Sequence, residues 1–259
     1  MRYERGENFM EFFDCNVSYG MPLKSDILMP VTCVAGLQKE LDRAGVKKAL
    51  VWRNEHSNSS IITANEMLAN DLKGNDNLCG LWGIIPSHSG EMPYPEEMVK
   101  LMKANRIVGW RLFPQNAWFI VKTFVLRDWL DAAVKYKIPI FVDTLHGTSL
   151  ESLADLLKDF PELTVVLAFN NIGPADRLFR PFVSEYPNVY IDMTYYSADG
   201  GIEAFVKKYG AGRLLYGSGF PNSYFGSNML MIRHAEITED EKRAIAGGNL
   251  CRIIEEAIL

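Results

Sequence analysis

The polar residues of this chain that could do chemistry stand one by one at the ends of short apolar runs. Asn16 and Ser18 close residues 11–20, Arg53 and His56 follow residues 46–52, and Ser87 and His88 follow residues 78–85. Arg111 lies near the end of residues 107–113. Asp143, Thr144 and His146 follow residues 138–142, and Asn170 and Asn171 follow residues 163–169. Asp192 and Thr194 end the run at 188–193, and Ser218 and Asn222 come after residues 213–216. Asp143, His146 and Asp192 are the candidates for acid–base work. Arg53 and Arg111 suit a carboxylate or phosphate, through the planar fork of the guanidinium. Each could equally be spent on an ion pair with Asp14, Asp143 or Asp192, since an arginine buried without a partner is costly.

The elements that must position these residues follow from the spacing. The apolar runs are short and partly β-branched, so they read as strands. Helical patterns separate them at 30–45 (Pro at the start, Gly at the end), 58–72, 95–105, 124–136, 149–158 with Ser149 as N-cap, 174–185, 201–209 and 238–257. The last begins with Thr238-x-x-Glu241, a capping-box pattern. Eight strand–helix alternations give the arithmetic of an α/β fold, a (β/α)8 TIM-like barrel with extra C-terminal helices, and no linker divides residues 1–259. An open doubly wound sheet is the alternative, but it would bring fewer strands and a Gly-rich first turn, which this sequence lacks. In a barrel the strand ends form one mouth, so the scattered polar residues above converge there. Trp118, Phe119, Tyr195, Tyr196 and Tyr224 fall in loop-like sequence and could wall an apolar pocket. His234 falls in a helical pattern and reads as structural.

Composition sets the outer bounds. The 259 residues are 48% hydrophobic and 23% charged, enough to bury one large core. A formal net charge of −5 without a Lys/Arg cluster excludes a nucleic-acid surface. Cys15, Cys33, Cys79 and Cys251 are scattered and read as reduced thiols. No apolar run approaches a membrane span and the N-terminus is polar, so no membrane association and a cytoplasmic location are the default expectation. Nothing in the pattern decides for or against a homo-oligomer.

Four patches carry a resemblance: Phe12-Phe13-Asp14 with its alternation, residues 163–173 with 187–192, Arg213-Leu-Leu-Tyr-Gly-Ser-Gly-Phe-Pro221, and Ile245-Ala-Gly-Gly-Asn249-Leu250. Together they span nearly the whole chain, which resembles the amidohydrolase-related branch of the metal-dependent hydrolase superfamily. The resemblance implies a TIM barrel and hydrolysis assisted by zinc or another divalent metal. It also implies where the ligands would stand. The two strand-1 histidines fall on Asn16 and Ser18, the strand-5 histidine on Asp143, the strand-6 histidine on Asn171, and the strand-8 aspartate on Gly219. Asn and Ser are weak neutral ligands and Gly219 has no side chain, so no metal cofactor is expected. The expectation is a barrel that binds a small polar, carboxylate-bearing molecule through Asn16, Ser18, Arg53, Arg111, Asn171, Tyr195 and Ser218, with the metal-dependent hydrolysis lost. Two alternatives stand beside it. One is a metal-independent hydrolase or lyase using Asp143, His146 or Asp192 with Arg111; the other is a genuine metal-dependent hydrolase or decarboxylase with displaced ligands, for which His56, His88 and His146 would be the source.

Overall fold

The computed structural model describes residues 10–22, 30–168 and 176–259. Eight parallel strands lie side by side in chain order: β1 (Phe13–Tyr19), β2 (Lys48–Arg53), β3 (Leu78–Ile84), β4 (Ile107–Leu112), β5 (Ile140–Val142), β6 (Val165–Leu167), β7 (Val189–Asp192) and β8 (Leu214–Leu215). The chain just past β8 returns to β1. The Cys15 amide donates to the Tyr216 carbonyl at 2.9 Å and the Ser18 amide to the Phe220 carbonyl at 2.8 Å, while the Gly219 amide donates to Asn16 at 3.0 Å. These bonds satisfy edge groups that an open sheet would leave exposed, and they make the sheet a TIM barrel.

Helices connect the strands on the outside: α1 (Val34–Ala44), α2 (Glu55–Asn58), α3 (Ile61–Asp71), α4 (Pro95–Ala104), α5 (Thr123–Tyr136), α6 (Leu150–Asp159), α7 (Asp176–Glu185) and α8 (Gly201–Tyr209). After β8 come α9 (Gly226–His234), α10 (Glu239–Arg243) and α11 (Asn249–Glu256). The expected cap at Ser149 is present, its hydroxyl accepting from the Ser152 amide. The layer between strands and helices is closed. Around Trp129, Leu130 and Leu156 it leaves a void of only about 10 Å³, no more than a single water would fill. Among the described residues no helix is long and apolar enough to cross a membrane.

Two segments differ from expectation. The helix expected over 58–72 starts at Ser60, whose hydroxyl caps the Thr63 amide, and a separate one-turn α2 precedes it. The helix expected over 238–257 keeps its capping box at Thr238 and Glu241 but is interrupted by a π-turn at Ala244–Gly248. The wider turn frees the Ile245 carbonyl to accept from the Tyr216 amide at 2.9 Å, so the C-terminal segment braces the end of β8.

Candidate functional site

Period-two alternation decides which strand residues enter the barrel. On β4, Trp110 goes outward and packs edge-on against Trp129 of α5, with ring centroids 4.9 Å apart. Its neighbour Arg111 therefore points inward, where it is fully buried. On β1 the inward set includes Asn16, which lies at the centre of the mouth. Its Oδ1 accepts from Trp52 Nε1 and from Arg111 Nη1, both at 3.1 Å. Its Nδ2 donates to Asp192 Oδ2 at 2.8 Å and to Thr194 Oγ1 at 3.3 Å. Donors on one side and acceptors on the other fix the amide's orientation.

Arg111 continues the chain of contacts. Its Nη2 donates to Asp143 Oδ2 at 2.7 Å, and its guanidinium lies over the Trp52 ring, 4.6 Å from the centroid. Asp143 also accepts from the His146 backbone amide at 2.7 Å and from His146 Nδ1 at 2.8 Å. Burial pushes the Asp143 carboxyl upward, but the Arg111 charge and the His146 hydrogen bonds outweigh it and hold it at about 2. Asp143 is therefore an anion, and the proton between it and His146 sits on Nδ1. The imidazole is wedged between Trp52 and Phe113, and its side chain is 19% exposed at the mouth.

Across Asn16 the chemistry changes. Asp192 Oδ1 accepts from the Thr194 amide and from Thr194 Oγ1, both at 2.8 Å. It comes so close to Gly217 that a Cβ there would stand 1.8 Å from Oδ1, which restricts position 217 to glycine. Asp14, also fully buried, accepts from the Asn16 and Ser218 amides at 3.0 Å through Oδ1, while its Oδ2 has no hydrogen-bond partner among the described residues. Burial raises its pKa to about 7, more than the bonds from Ser218 and Asn16 lower it, and the Asp192 charge adds to the rise. Ser18 Oγ donates to the Phe220 carbonyl at 3.4 Å, and Ser218 Oγ accepts from the Phe220 amide at 3.0 Å.

Beside this network a cleft of about 680 Å³ opens over β5, β7 and β8. Thr144 and Leu145 line it from the loop after β5, Tyr195 from the loop after β7, Ser218 and Ser223 from the loop after β8, and Asn228 and Met231 from α9. Tyr195 holds a left-handed backbone, φ 62°, and burial raises its hydroxyl pKa. Asn228 and Trp52 were not foreseen. For Trp52 the alternation of β2 held the signal, whereas Asn228 reaches the cleft only because α9 folds back over β8.

Other expected residues stand apart. Arg53 does not join the mouth. It pairs in register with Tyr19, the outward neighbour of Ser18, and its guanidinium is bonded to Glu55 and to Asp71 of α3. His56 is buried, with Nε2 2.8 Å from Asn65 Oδ1, and burial lowers its pKa to about 4, so it stays neutral. Phe113 stacks on His56 and meets His146 edge-on, which separates the two imidazoles. His88 is exposed and lines a different cleft with Asn116, Trp118 and Phe119. These histidines therefore do not assemble a displaced metal site. Tyr224 is 80% exposed and walls neither cleft. Asn170 and Asn171 lie outside the described residues.

A divalent metal does not fit the described residues at the positions where the resemblance would put its ligands. The Asn16 oxygen already accepts two N–H bonds, Ser18 is turned to a carbonyl, and Gly219 has no side chain. Both Asp143 oxygens are taken by Arg111 and His146. Among the described residues, no three His, Cys, Asp or Glu side chains come together as a metal-holding group.

The family model described as Amidohydrolase matches residues 65–252. No curated protein matches the sequence. Among solved structures, an uncharacterised TIM-barrel protein from Bordetella bronchiseptica superposes with a TM-score of 0.69 at 18% identity, covering 95% of this chain and 99% of that one. A dihydroxybenzoic acid decarboxylase from Polaromonas, solved with manganese and an inhibitor, gives 0.70 at 13% identity, covering 95% and 97%. A 4-oxalomesaconate hydratase from Rhodopseudomonas palustris gives 0.66 at 16% identity, covering 95% and 96%.

Proposed function

Since the chain belongs to the amidohydrolase family, we propose that it is a member that binds a small molecule at the C-terminal mouth of its barrel without the family's metal-dependent hydrolysis. One observation carries the reading. The Arg111 guanidinium is bonded between Asn16 and Asp143, the side chains that stand where strand-1 and strand-5 ligands would converge. A fixed cation there repels a second one and uses the lone pairs a metal would need. The carboxylate ligand expected from Arg53 and Arg111 has less support, because each arginine is already neutralised by an acid of this chain. Metal analysis of protein purified without chelator tests the reading. Zinc and manganese far below one per chain are expected, and a stoichiometric metal would overturn it.

The Asp143–His146 contact favours a second reading, metal-independent acid–base catalysis. A carboxylate that accepts the Nδ1 proton orients the ring and stabilises its cation, so Nε2 becomes the nitrogen that takes up and returns a proton. Arg111 keeps Asp143 ionised for that task, and Asp192 holds Asn16, which in turn positions Arg111. If a substrate is turned over, Asp143→Asn is expected to lower kcat by about 10²–10⁴-fold, measured per folded molecule because the variant also takes the carboxylate from the buried Arg111 guanidinium. Unchanged turnover in that variant would remove Asp143 and its pairing with His146 from the reaction.

A further inference from the structure

We infer that the cleft over β5, β7 and β8 takes an uncharged ligand carrying a hydrogen-bond donor, an alcohol, phenol or amide N–H on an apolar body, and that Asn228 reads the donor. The inference rests on the reading that this mouth binds a small molecule, and it narrows the ligand's chemistry.

Asn228 stands in the first turn of α9, is 4% exposed and lines the cleft. Its Nδ2 donates to the Met193 carbonyl at 2.8 Å and the Gly217 carbonyl at 2.6 Å. With both partners acceptors, the amide cannot be reversed without placing oxygen against oxygen. Its Oδ1 accepts no hydrogen bond among the described residues. The cleft thus presents a rigid acceptor, held by the loops after β7 and β8, and a ligand that covers it without donating to it loses the free energy of its hydration.

The surroundings reinforce the selection. Leu145, Leu178, Phe179 and Met231 supply apolar wall. The Thr144 and Ser223 hydroxyls, from loops after β5 and β8, are not hydrogen-bonded by the described residues and can serve as adaptable partners. No described lining residue carries a formal charge. A carboxylate entering here would lose its water, find no cation on the wall, and turn oxygen toward the Asn228 oxygen. An ammonium would meet the acceptor but without a counter-charge on the wall. A volume of about 680 Å³ lies in the range of small-molecule sites.

Asn228 also ties two loops together, so the decisive comparison varies the ligand and leaves the residue intact. Naphthalene-2-methanol, its methyl ether, 2-naphthoate and 2-naphthylmethylammonium would be titrated into the full chain by calorimetry at neutral pH. The alcohol is expected to bind about tenfold or more tightly than the other three, as loss of one hydrogen bond to a buried acceptor implies. Ser223→Trp, which fills the cleft from a loop, should abolish that binding while the circular dichroism spectrum is kept. Should the naphthoate, the ammonium or the ether bind as well as the alcohol, with loss in the Ser223→Trp variant, selection by Asn228 is refuted while small-molecule binding at the mouth stands. If none of the four binds, or binding survives Ser223→Trp, the inference and the binding site both fall.

Discussion

Asp14 lies two residues before Asn16 on β1 and Asp143 directly follows β5; both are almost entirely buried, and the structure treats them oppositely. Asp143 has a guanidinium at 2.7 Å and an imidazole N–H at 2.8 Å, and is held at about 2. Asp14 has two backbone amides and no cation; it is raised to about 7, with Asp192 contributing repulsion. Burial is common to both, so burial does not decide ionisation here. What decides it is whether a cation has been buried alongside. Of the two, Asp143 is therefore the one equipped for a role that needs a fixed negative charge near the mouth, while Asp14 near neutral pH holds a proton for much of the time.

The largest expected effect comes from removing that cation. Arg111→Met leaves Asp143 as a buried charge and should cost about 3–5 kcal/mol, read from the shift of the urea midpoint. Arg111→Met combined with Asp143→Asn should recover part of the loss, because no unpaired charge then remains. A double variant no more stable than the single one would show that packing on Trp52, and not charge, is what Arg111 contributes.

Asp14→Asn addresses the other half. A carboxyl whose pKa rises from 3.8 to about 7 on folding binds more protons in the folded state between those values. Its contribution is fully present below about pH 4 and is lost as pH rises through about 7. The amide variant lacks this dependence. It should gain on the wild type by several kcal/mol at most, on the order of three pKa steps, between pH 4.5 and 7.5. Asp143 runs the other way, its contribution being present above 3.8 and lost as pH falls toward about 2. A stability difference between Asp14→Asn and wild type that does not change with pH would break the contrast between the two acids.

The smallest effect should come from His146→Phe, about 1 kcal/mol, because Asp143 keeps Arg111 when the partly exposed imidazole is gone. A loss as large as that of Arg111→Met would mean that the imidazole and not the guanidinium holds the carboxylate.

Much of this arrangement was legible in the chain. Eight apolar runs with helical patterns between them lead to the barrel, and the rule that ligand sites lie past strand ends brings Asn16, Arg111, Asp143, His146 and Asp192 together. Arg53 shows where that rule stops. It too ends a strand, yet its parity turns it outward to Asp71 of α3, and parity depends on a pairing register that a lone sequence does not print. Asp14 reads in the sequence as an ion-pair partner for Arg53 or Arg111; that it accepts from two backbone amides instead is set by other strands. Asn228 was illegible for the same reason, since its place comes from the return of α9 over β8. The C-terminal π-turn was hidden because its cause, the Ile245–Tyr216 bond, joins residues far apart in the chain.

The guanidinium on β4 has one further consequence. A positive charge carried on a side chain is delivered by synthesis of the polypeptide itself and needs no inorganic supply. It cannot be leached by a chelator or exchanged for a mismatched ion. Its assembly is as reliable as folding, and it lasts for the lifetime of the molecule.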